Sequence, residues 1–223
     1  MKKSEEAGEE LKKFEIFLFR HGKTLANEKS LYCGKSDPPL SEGGREELLK
    51  KTMLPDISKC RIVTSPLRRA SQTLGLLYPS LSALAEVDAG FQEIDFGDFE
   101  MKSYEELKND ESYQEWVKKE VDRIQESGNK KCENPFPNGE SYEQMTVRVI
   151  KSLENLLKNY RSVALFTHSG PISAIMQHFF PNEQKSIYEW KSDFGEGYRI
   201  RGKLVSESSI FFDFSSIIYE KIP

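Results

Sequence analysis

Three short apolar runs separated by helical segments constrain the fold of this chain more than any other feature. The runs are Phe14–Arg20 (FEIFLFR), Arg61–Ser65 (RIVTS) and Arg161–Thr167 (RSVALFT). Apolar runs of this length are typical of strands buried on both faces. Strands alternating with helices predict a three-layer α/β/α fold, in which a mostly parallel sheet carries helices on both faces.

The segments between these runs supply the helices and weaker strands. Ser41 is a predicted N-cap because its side chain can accept a hydrogen bond from the first turn. The other predicted elements are the helix from Ser41 to about Lys51, a helix from Pro66 through Leu77, a weak strand over Ala83–Val87, one or two surface helices over Ser103–Gln125, an amphipathic helix over Glu140–Tyr160, an apolar helix through His178 and antiparallel strands over Gly197–Tyr219.

The domain boundaries follow from composition. Residues 1–13 are rich in Lys and Glu and predict a polar leader outside the core. Residues 14–223 are expected to form a single domain, because that length can bury a core without disulfides or metal. Residues 100–140 interrupt the strand and helix rhythm and are interpreted as a small cap insertion, with a helix-breaking segment at 127–139.

Composition limits the partners. The 223 residues carry a net charge of -4, which argues against general binding of nucleic acid. No apolar run is long enough to span a bilayer. Cys33, Cys60 and Cys132 are scattered and odd in number, so a reducing, cytoplasmic setting is expected.

Chemically unusual residues stand where the predicted strands end. Arg20 and His21 end the first run, Arg68 and Arg69 follow the second, and His168 follows Thr167. Ligands of open α/β sheets bind outside the carboxyl ends of strands. Guanidinium groups match phosphate oxygens and a neutral imidazole can attack phosphorus, so the cluster predicts phosphoryl chemistry that needs neither metal nor cofactor.

The chain resembles the histidine phosphatase superfamily, in its phosphoglycerate-mutase-like branch. The resemblance runs from about residue 14 to 175 and rests on ordered motifs rather than on any one of them. These motifs are Arg20-His21-Gly22-Lys23-Thr24-Leu25-Ala26-Asn27, Pro39-Leu40-Ser41, Thr64-Ser65-Pro66-Leu67-Arg68-Arg69-Ala70 with Gln72-Thr73, Glu93-Ile94-Asp95-Phe96-Gly97-Asp98-Phe99-Glu100, Asn138-Gly139-Glu140-Ser141 and Thr167-His168-Ser169-Gly170.

The resemblance implies a role for each matching position. His21 is the expected nucleophile, and Glu93 the proton donor to the leaving oxygen and later the base that activates water. Arg20, Arg69 and His168 are expected to form the phosphate pocket; Arg69 is preferred to Arg68 because it directly precedes the alanine of the motif. The residues expected to bind substrate are Gly22, Thr24, Asn27 and Ser169.

One position departs from the pattern. Relatives commonly have Glu-Gly where this chain has Glu100-Met101, and a changed loop there would affect the setting of Glu93. Asp95 and Glu100 are therefore kept as alternative acids. Arg148 is interpreted as a residue of the exposed side of its helix.

The predicted activity is hydrolysis of phosphate monoesters of small metabolites through a phosphohistidine. Two alternatives stay open: a cofactor-dependent phosphoglycerate mutase, and an inactive module that binds a phosphorylated ligand. The compact interval from Glu93 to His168 favours hydrolysis over the mutase. Selectivity for the ester is expected in the loop near Tyr32–Asp37 and in the 100–140 insertion.

Overall fold

A computed structural model describes residues 12–127, 134–183, 185–206 and 211–223. Cys132 and part of the predicted breaker segment lie outside these residues. The strands are β1 (Lys12–Arg20), β2 (Arg61–Thr64), β3 (Glu86–Val87), β4 (Ser162–Thr167), β5 (Gly197–Ser206) and β6 (Phe211–Ile222). The α-helices are α1 (Leu25–Glu28), α2 (Glu42–Leu49), α3 (Arg68–Leu77), α4 (Tyr104–Leu107), α5 (Glu111–Ser127), α6 (Tyr142–Asn159) and α7 (Ser169–Phe179).

The six strands form one sheet in the order β3-β2-β4-β1-β5-β6. Parallel pairing joins β3 to β2, β2 to β4 and β4 to β1. β5 is antiparallel to β1, and β6 is antiparallel to β5. The parallel-majority sheet and the antiparallel strands of the tail confirm the predicted fold class.

Alternate side chains of the central strands enter different cores, which explains their continuous apolar sequences. On β1, Ile16 and Leu18 pack into a large core that contains residues of α6 and α7. Phe17 and Phe19 pack into a smaller core with residues of α2 and α3. The sheet is therefore covered by helices on both faces, as predicted.

Side-chain hydrogen bonds cap the N-termini of several helices. Ser41 accepts a hydrogen bond from the backbone of Gly44, which confirms it as the N-cap of α2. Ser141 and Gln144 form a capping box at the start of α6. α3 begins at Arg68, after its N-cap Leu67, so Pro66 precedes the helix instead of lying in its first turn.

Two boundaries predicted from composition were wrong. β1 begins at Lys12, inside the predicted polar leader, because Lys12 and Lys13 pair with Leu204 and Lys203 of β5. Backbone pairing requires no apolar side chain, so composition could not reveal it. The weak third strand is reduced to Glu86–Val87, and residues 79–84 form a 3₁₀ helix.

The insertion contributes α4 and α5 and no strand in its described part. Aromatic rings attach it to the body of the protein. Phe99 contacts Tyr113 and Trp116 edge to face, with ring centroids 5.1 and 6.0 Å apart. Phe136 of the insertion packs edge-on against Phe96 at 4.9 Å. No helix in the described part of the chain is long and apolar enough to cross a membrane.

Candidate active site

The register of the central strands brings the two motif histidines together. Arg20 of β1 pairs with Thr167 of β4, so His21 and His168 leave adjacent strands at the same edge of the sheet. Their ring centroids are 5.1 Å apart. His21 borders an open cavity of about 640 Å³, whereas His168 is fully buried behind it.

The backbone fixes the tautomer of His21. Its Nδ1 lies 2.6 Å from the carbonyl oxygen of Gly22. A carbonyl oxygen can only accept a hydrogen bond, so Nδ1 carries the proton and the lone pair is on Nε2. The amide of Gly22 donates to Oγ1 of Thr73 at 2.8 Å, which holds the carbonyl in place.

Electrostatics keep His21 neutral. Burial lowers the pKa of His21 well below its ordinary value, and the positive charges of Arg69 and Arg20 lower it further. The sequence predicted the effect of the arginines, but burial is the larger cause. A neutral imidazole with a free Nε2 is a competent nucleophile near neutral pH.

Main-chain carbonyls anchor both guanidinium groups. Nη1 of Arg20 donates to the carbonyl of Ser192 at 2.6 Å, and its guanidinium lies 3.8 Å from the ring centroid of Phe194. Arg69 donates to the carbonyls of Gly34 and Ser36 at 2.6 and 2.7 Å. Burial lowers the pKa of Arg20 to about 10, so it stays charged at neutral pH.

Arg68 has a different setting. Its side chain points to the surface and forms an ion pair with Asp37, with Nε 3.0 Å from Oδ2. Arg69 is fully buried, and its charge acts on the pKa of both His21 and His168. This geometry supports the choice of Arg69 over Arg68.

His168 is oriented by a hydroxyl group. Its Nε2 lies 2.7 Å from Oγ of Ser65. That Oγ accepts a hydrogen bond from the amide of Leu67 at 3.3 Å, so its own proton is available for Nε2. We assign the neutral ring proton of His168 to Nδ1 on this basis.

Three buried donors at this site have no hydrogen-bond partner among the described residues. They are Nε of Arg20, Nε of Arg69 and Nδ1 of His168. An unpaired buried donor is costly, and natural proteins keep few of them without a reason. An anion with several acceptor oxygens would satisfy such donors together, which is what a phosphoryl group offers.

Glu93 faces the same cavity with its carboxylate held by amides. Oε1 accepts from Ile94 at 3.0 Å and from Gly170 at 3.2 Å. A Cβ atom at position 170 would lie 2.3 Å from Oε1, so a larger residue there would displace the carboxylate. Burial raises the pKa of Glu93, against the amides and arginines that lower it. A carboxyl group with a raised pKa can hold a proton for a leaving group.

Arg148 braces the segment that carries Glu93, and its interpretation as an exposed helix residue was wrong. The guanidinium donates to the carbonyls of Gly90, Gln92 and Glu93 at 2.9, 2.7 and 3.0 Å. It also forms a two-pronged ion pair with Glu140 at 2.7 and 2.8 Å. The only sequence signal was the presence of Glu140 in a motif.

Glu100, one alternative acid, is occupied by the backbone. Its oxygens accept hydrogen bonds from the amides of Gly34, Lys35, Ser36 and Phe96 at 2.9 to 3.2 Å. The loop 34–36 then presents its carbonyls to Arg69. Glu100 therefore positions Arg69 and does not line the cavity.

The neighbours of Glu100 agree with a structural role for this corner. Asp95, the other alternative acid, accepts from the amide of Gly97 at 2.9 Å and lies 3.2 Å from Nζ of Lys35. Met101 has a φ of 59°, which is the left-handed conformation that glycine adopts without cost. Glycine, which the resemblance implies at this position, would adopt this conformation without that cost.

The predicted substrate-binding residues divide into two groups. Asn27 and Ser169 line the cavity, whereas Gly22 and Thr24 do not. Thr24 is the buried N-cap of α1, and its amide and hydroxyl donate to Oδ1 of Asn27 at 3.0 and 2.8 Å. Asn27 thus braces the loop with its oxygen and keeps its amide group for the cavity.

The cavity has two chemically different ends. The anion end, around His21, includes Arg20, Glu93, Ser169 and Gly170, and the ring of Phe194 lies against Arg20 and His21 there. The aromatic end is formed by Tyr32, Phe96, Tyr104, Trp116, Phe136 and Tyr188. Both segments expected to govern selectivity, the loop near residue 32 and the insertion, contribute to the aromatic end. In the described ranges, no group of three or more His, Cys, Asp or Glu side chains could hold a metal ion; the independence from metal stays a prediction.

Comparison with known proteins agrees with this geometry. The family model of the histidine phosphatase superfamily (branch 1) matches residues 16–201. The adenosylcobalamin/alpha-ribazole phosphatase of Escherichia coli is 25% identical over 81% of this chain and 86% of its own length. An uncharacterized phosphatase of Bacillus subtilis, PhoE, is 30% identical over 72% of this chain and 75% of its own.

Solved structures share the fold. The alpha-ribazole phosphatase from Shigella flexneri superposes with a TM-score of 0.64, at 21% identity, over 89% of this chain and 95% of that one. A mycobacterial glucosyl-3-phosphoglycerate phosphatase gives 0.62, at 22% identity, over 94% and 97%. With a family match that covers most of its length, the chain belongs to the histidine phosphatase superfamily, branch 1.

Proposed function

We propose that this protein is a phosphomonoesterase that hydrolyses phosphate esters of small metabolites through a phosphohistidine, without a metal ion. One observation carries the proposal: Arg20, Arg69 and His168, which all act on or contact His21, each have a buried donor without a partner among the described residues. Guanidinium and imidazole donors can stabilise the charge of a transferring phosphoryl group, which is the role metal ions have in other phosphoryl-transfer enzymes.

In the first step, Nε2 of His21 attacks phosphorus and the bond from phosphorus to the ester oxygen breaks. The proton on the carboxyl group of Glu93 moves to that oxygen, which leaves as an alcohol. The raised pKa of Glu93 keeps this proton available. The hydrogen bond from Nδ1 of His21 to Gly22 holds the ring while the new bond forms.

In the second step, the Glu93 carboxylate accepts a proton from water as the water oxygen attacks phosphorus. The bond from phosphorus to Nε2 of His21 breaks, which releases inorganic phosphate and restores the neutral imidazole and the protonated acid. The two steps return every group to its starting state, so Glu93 serves first as acid and then as base.

The test is to trap the intermediate. Protein mixed with a ³²P-labelled phosphomonoester and quenched in alkali should retain the label on His21, since phosphohistidine survives alkali and is lost in acid. His21→Ala should carry no label. His178→Ala is the matched control, because His178 lies in α7 outside the cavity lining and should leave labelling intact.

Three outcomes would overturn the proposal. Loss of activity after treatment with a chelator, restored by a divalent metal, would contradict the mechanism without metal. Rapid interconversion of 2- and 3-phosphoglycerate with a bisphosphoglycerate primer, faster than release of phosphate, would identify a mutase. Stable phosphate binding without label or turnover would indicate a binding module.

A further inference from the structure

The cavity is larger than a phosphoryl group needs. Its volume of about 640 Å³ lies within the range of cavities that enclose a whole small-molecule ligand. The phosphoryl group would occupy the anion end, beside His21. The aromatic end then receives the alcohol part of the ester, and its lining indicates what that alcohol carries.

The walls of the aromatic end are rings that hold one another in place. Phe96 packs edge-on against Phe136 and Tyr32, with centroids 4.9 and 5.3 Å apart. Trp116 stacks on Phe136 at an interplanar angle of 20°. Ring pairs of this geometry are favourable, and all four rings border the cavity.

Two tyrosines stand at the opening of this end. Tyr104 is 58% exposed and Tyr188 is 78% exposed, yet both line the cavity. Burial raises the pKa of the Tyr32 hydroxyl, followed by its hydrogen bond to Tyr113, and the hydroxyls of Tyr188 and Tyr104 add to the shift. The two exposed tyrosines therefore lie near Tyr32, although they come from different parts of the chain.

Charge is confined to the other end. The charged side chains in the cavity lining of the described residues are Arg20, Glu93 and Lys191. Burial lowers the pKa of Lys191, and the charges of Arg20 and Glu93 also act on it, which places Lys191 near the anion end. Among the residues that the structure describes, a carboxylate or second phosphate on the alcohol would find no cation at the aromatic end.

We propose that the preferred substrate is a phosphate monoester whose alcohol carries an uncharged, flat aromatic ring system, which packs against the aromatic end. This inference rests on the proposed function for the position of the phosphoryl group. It predicts discrimination by the alcohol: ring-bearing esters are favoured, whereas esters with a second anionic group are not.

The experiment compares esters that share a leaving group. Adenosine 5'-monophosphate and ribose 5-phosphate both release a primary ribosyl alcohol and differ in the ring. Stacking of a base on aromatic side chains contributes about 1–3 kcal/mol, so we expect kcat/KM to be about 5- to 140-fold higher for the nucleotide. 3-Phosphoglycerate should fall at or below ribose 5-phosphate.

Substitutions at the aromatic end test whether its rings cause the preference for the nucleotide over ribose 5-phosphate. Tyr104→Ala and Tyr188→Ala should each reduce the ratio of kcat/KM between the two esters, and Tyr104→Phe and Tyr188→Phe should restore it because the ring is retained. The matched control is Phe214→Ala, an exposed aromatic residue of β6 outside the cavity lining, which should leave the ratio unchanged. Thermal unfolding of each variant checks that it is folded.

Binding separates this inference from the proposed function. Calorimetric titration of both esters into the His21→Ala variant measures the preference without turnover. Equal affinity and equal kcat/KM for the two esters would overturn the inference and leave the phosphatase intact. Tight binding of the nucleotide without turnover by the wild-type protein would support the inference and overturn the proposed function instead.

Discussion

The anion end and the aromatic end of the cavity are built by different physical means. At the anion end every reactive group is fixed by directional hydrogen bonds, such as those from His21 to Gly22 and from Arg69 to Gly34. At the aromatic end the groups are fixed by ring packing, such as that of Trp116 on Phe136. Directional bonds tolerate little displacement, whereas packing tolerates substitution of similar volume. The chemistry should therefore be sensitive to single changes at one end, and selectivity adjustable at the other.

The largest effect is expected from removing the nucleophile. His21→Ala should lower kcat by at least about 10⁴-fold for every ester, whatever its alcohol, because no other group can form the phosphoryl-enzyme bond. Steady-state assays with p-nitrophenyl phosphate and ribose 5-phosphate measure the loss. A residual rate that depends strongly on the alcohol would contradict the assignment of the chemistry to the anion end and of selectivity to the aromatic end.

A smaller effect, dependent on the leaving group, is expected from Glu93→Gln. The amide cannot donate a proton to the ester oxygen, so kcat/KM for ribose 5-phosphate should fall by about 10²- to 10⁴-fold. For p-nitrophenyl phosphate the fall should be much smaller, because a phenolate leaves without protonation. An equal loss with both esters would contradict the role of Glu93 as acid.

The pH profile tests the same residue. Turnover needs neutral His21 and protonated Glu93. Since the pKa of His21 lies well below its ordinary value, the imidazole is neutral across the range around pH 7. Since the pKa of Glu93 is raised, kcat/KM for ribose 5-phosphate should fall as pH rises through that pKa. In Glu93→Gln this decrease of kcat/KM at high pH should be missing. The decrease at low pH, which is caused by protonation of His21, should persist.

The sequence predicts the anion end well because its reactive residues follow buried strands directly. The pairing of Arg20 with Thr167 is enough to bring His21 beside His168. The side chains and backbone groups that hold the anion end in place were not predicted. Arg148 reaches backbone carbonyls more than 50 positions away, and carbonyls and amides leave no signature in a sequence.

For the aromatic end, the sequence predicted which segments would contribute to selectivity but not which side chains would line the cavity. Its residues range from Tyr32 to Tyr188 and share no periodicity, so only the tertiary fold could show that they line one cavity. The start of β1 at Lys12 was missed for a related reason: the strand extends because β5 offers a pairing edge, and the sequence of β1 alone does not contain that information.

A smaller loss is expected at the Glu100 clamp, the carboxylate that accepts hydrogen bonds from Phe96 at the aromatic end and from the loop 34–36 beside Arg69. Glu100→Gln replaces a carboxylate oxygen that accepts backbone hydrogen bonds with an NH₂ group that cannot accept them. The loop 34–36 should shift and displace Arg69, which would lower kcat/KM by about 10- to 100-fold. KM should rise for esters with and without a ring, because phosphate binding is affected.

The matched control for the clamp is Glu105→Gln, which makes the same change on exposed α4. It should leave kcat/KM unchanged. If Glu100→Gln lowers only the thermal stability and leaves KM as in the wild type, Glu100 is structural and does not position Arg69. Restoration of KM by Glu100→Asp would support a positional role for the carboxylate.

The smallest effect is expected at Met101, the residue that directly follows the Glu100 clamp. Met101 is 41% exposed and has a φ of 59°, a conformation that costs about 1–2 kcal/mol for a residue with a Cβ atom. Met101→Gly removes that cost but adds chain entropy to the unfolded state, so the free energy of unfolding should rise by about 0.5–1 kcal/mol.

Met53→Gly is the control: Met53 is 79% exposed without a positive φ, so this change should slightly lower stability. Urea unfolding of both variants decides, and an equal decrease in the two would show that backbone conformation at 101 carries no penalty. Because the Met101 side chain lines neither end of the cavity, kcat/KM should stay at its wild-type value for both classes of ester.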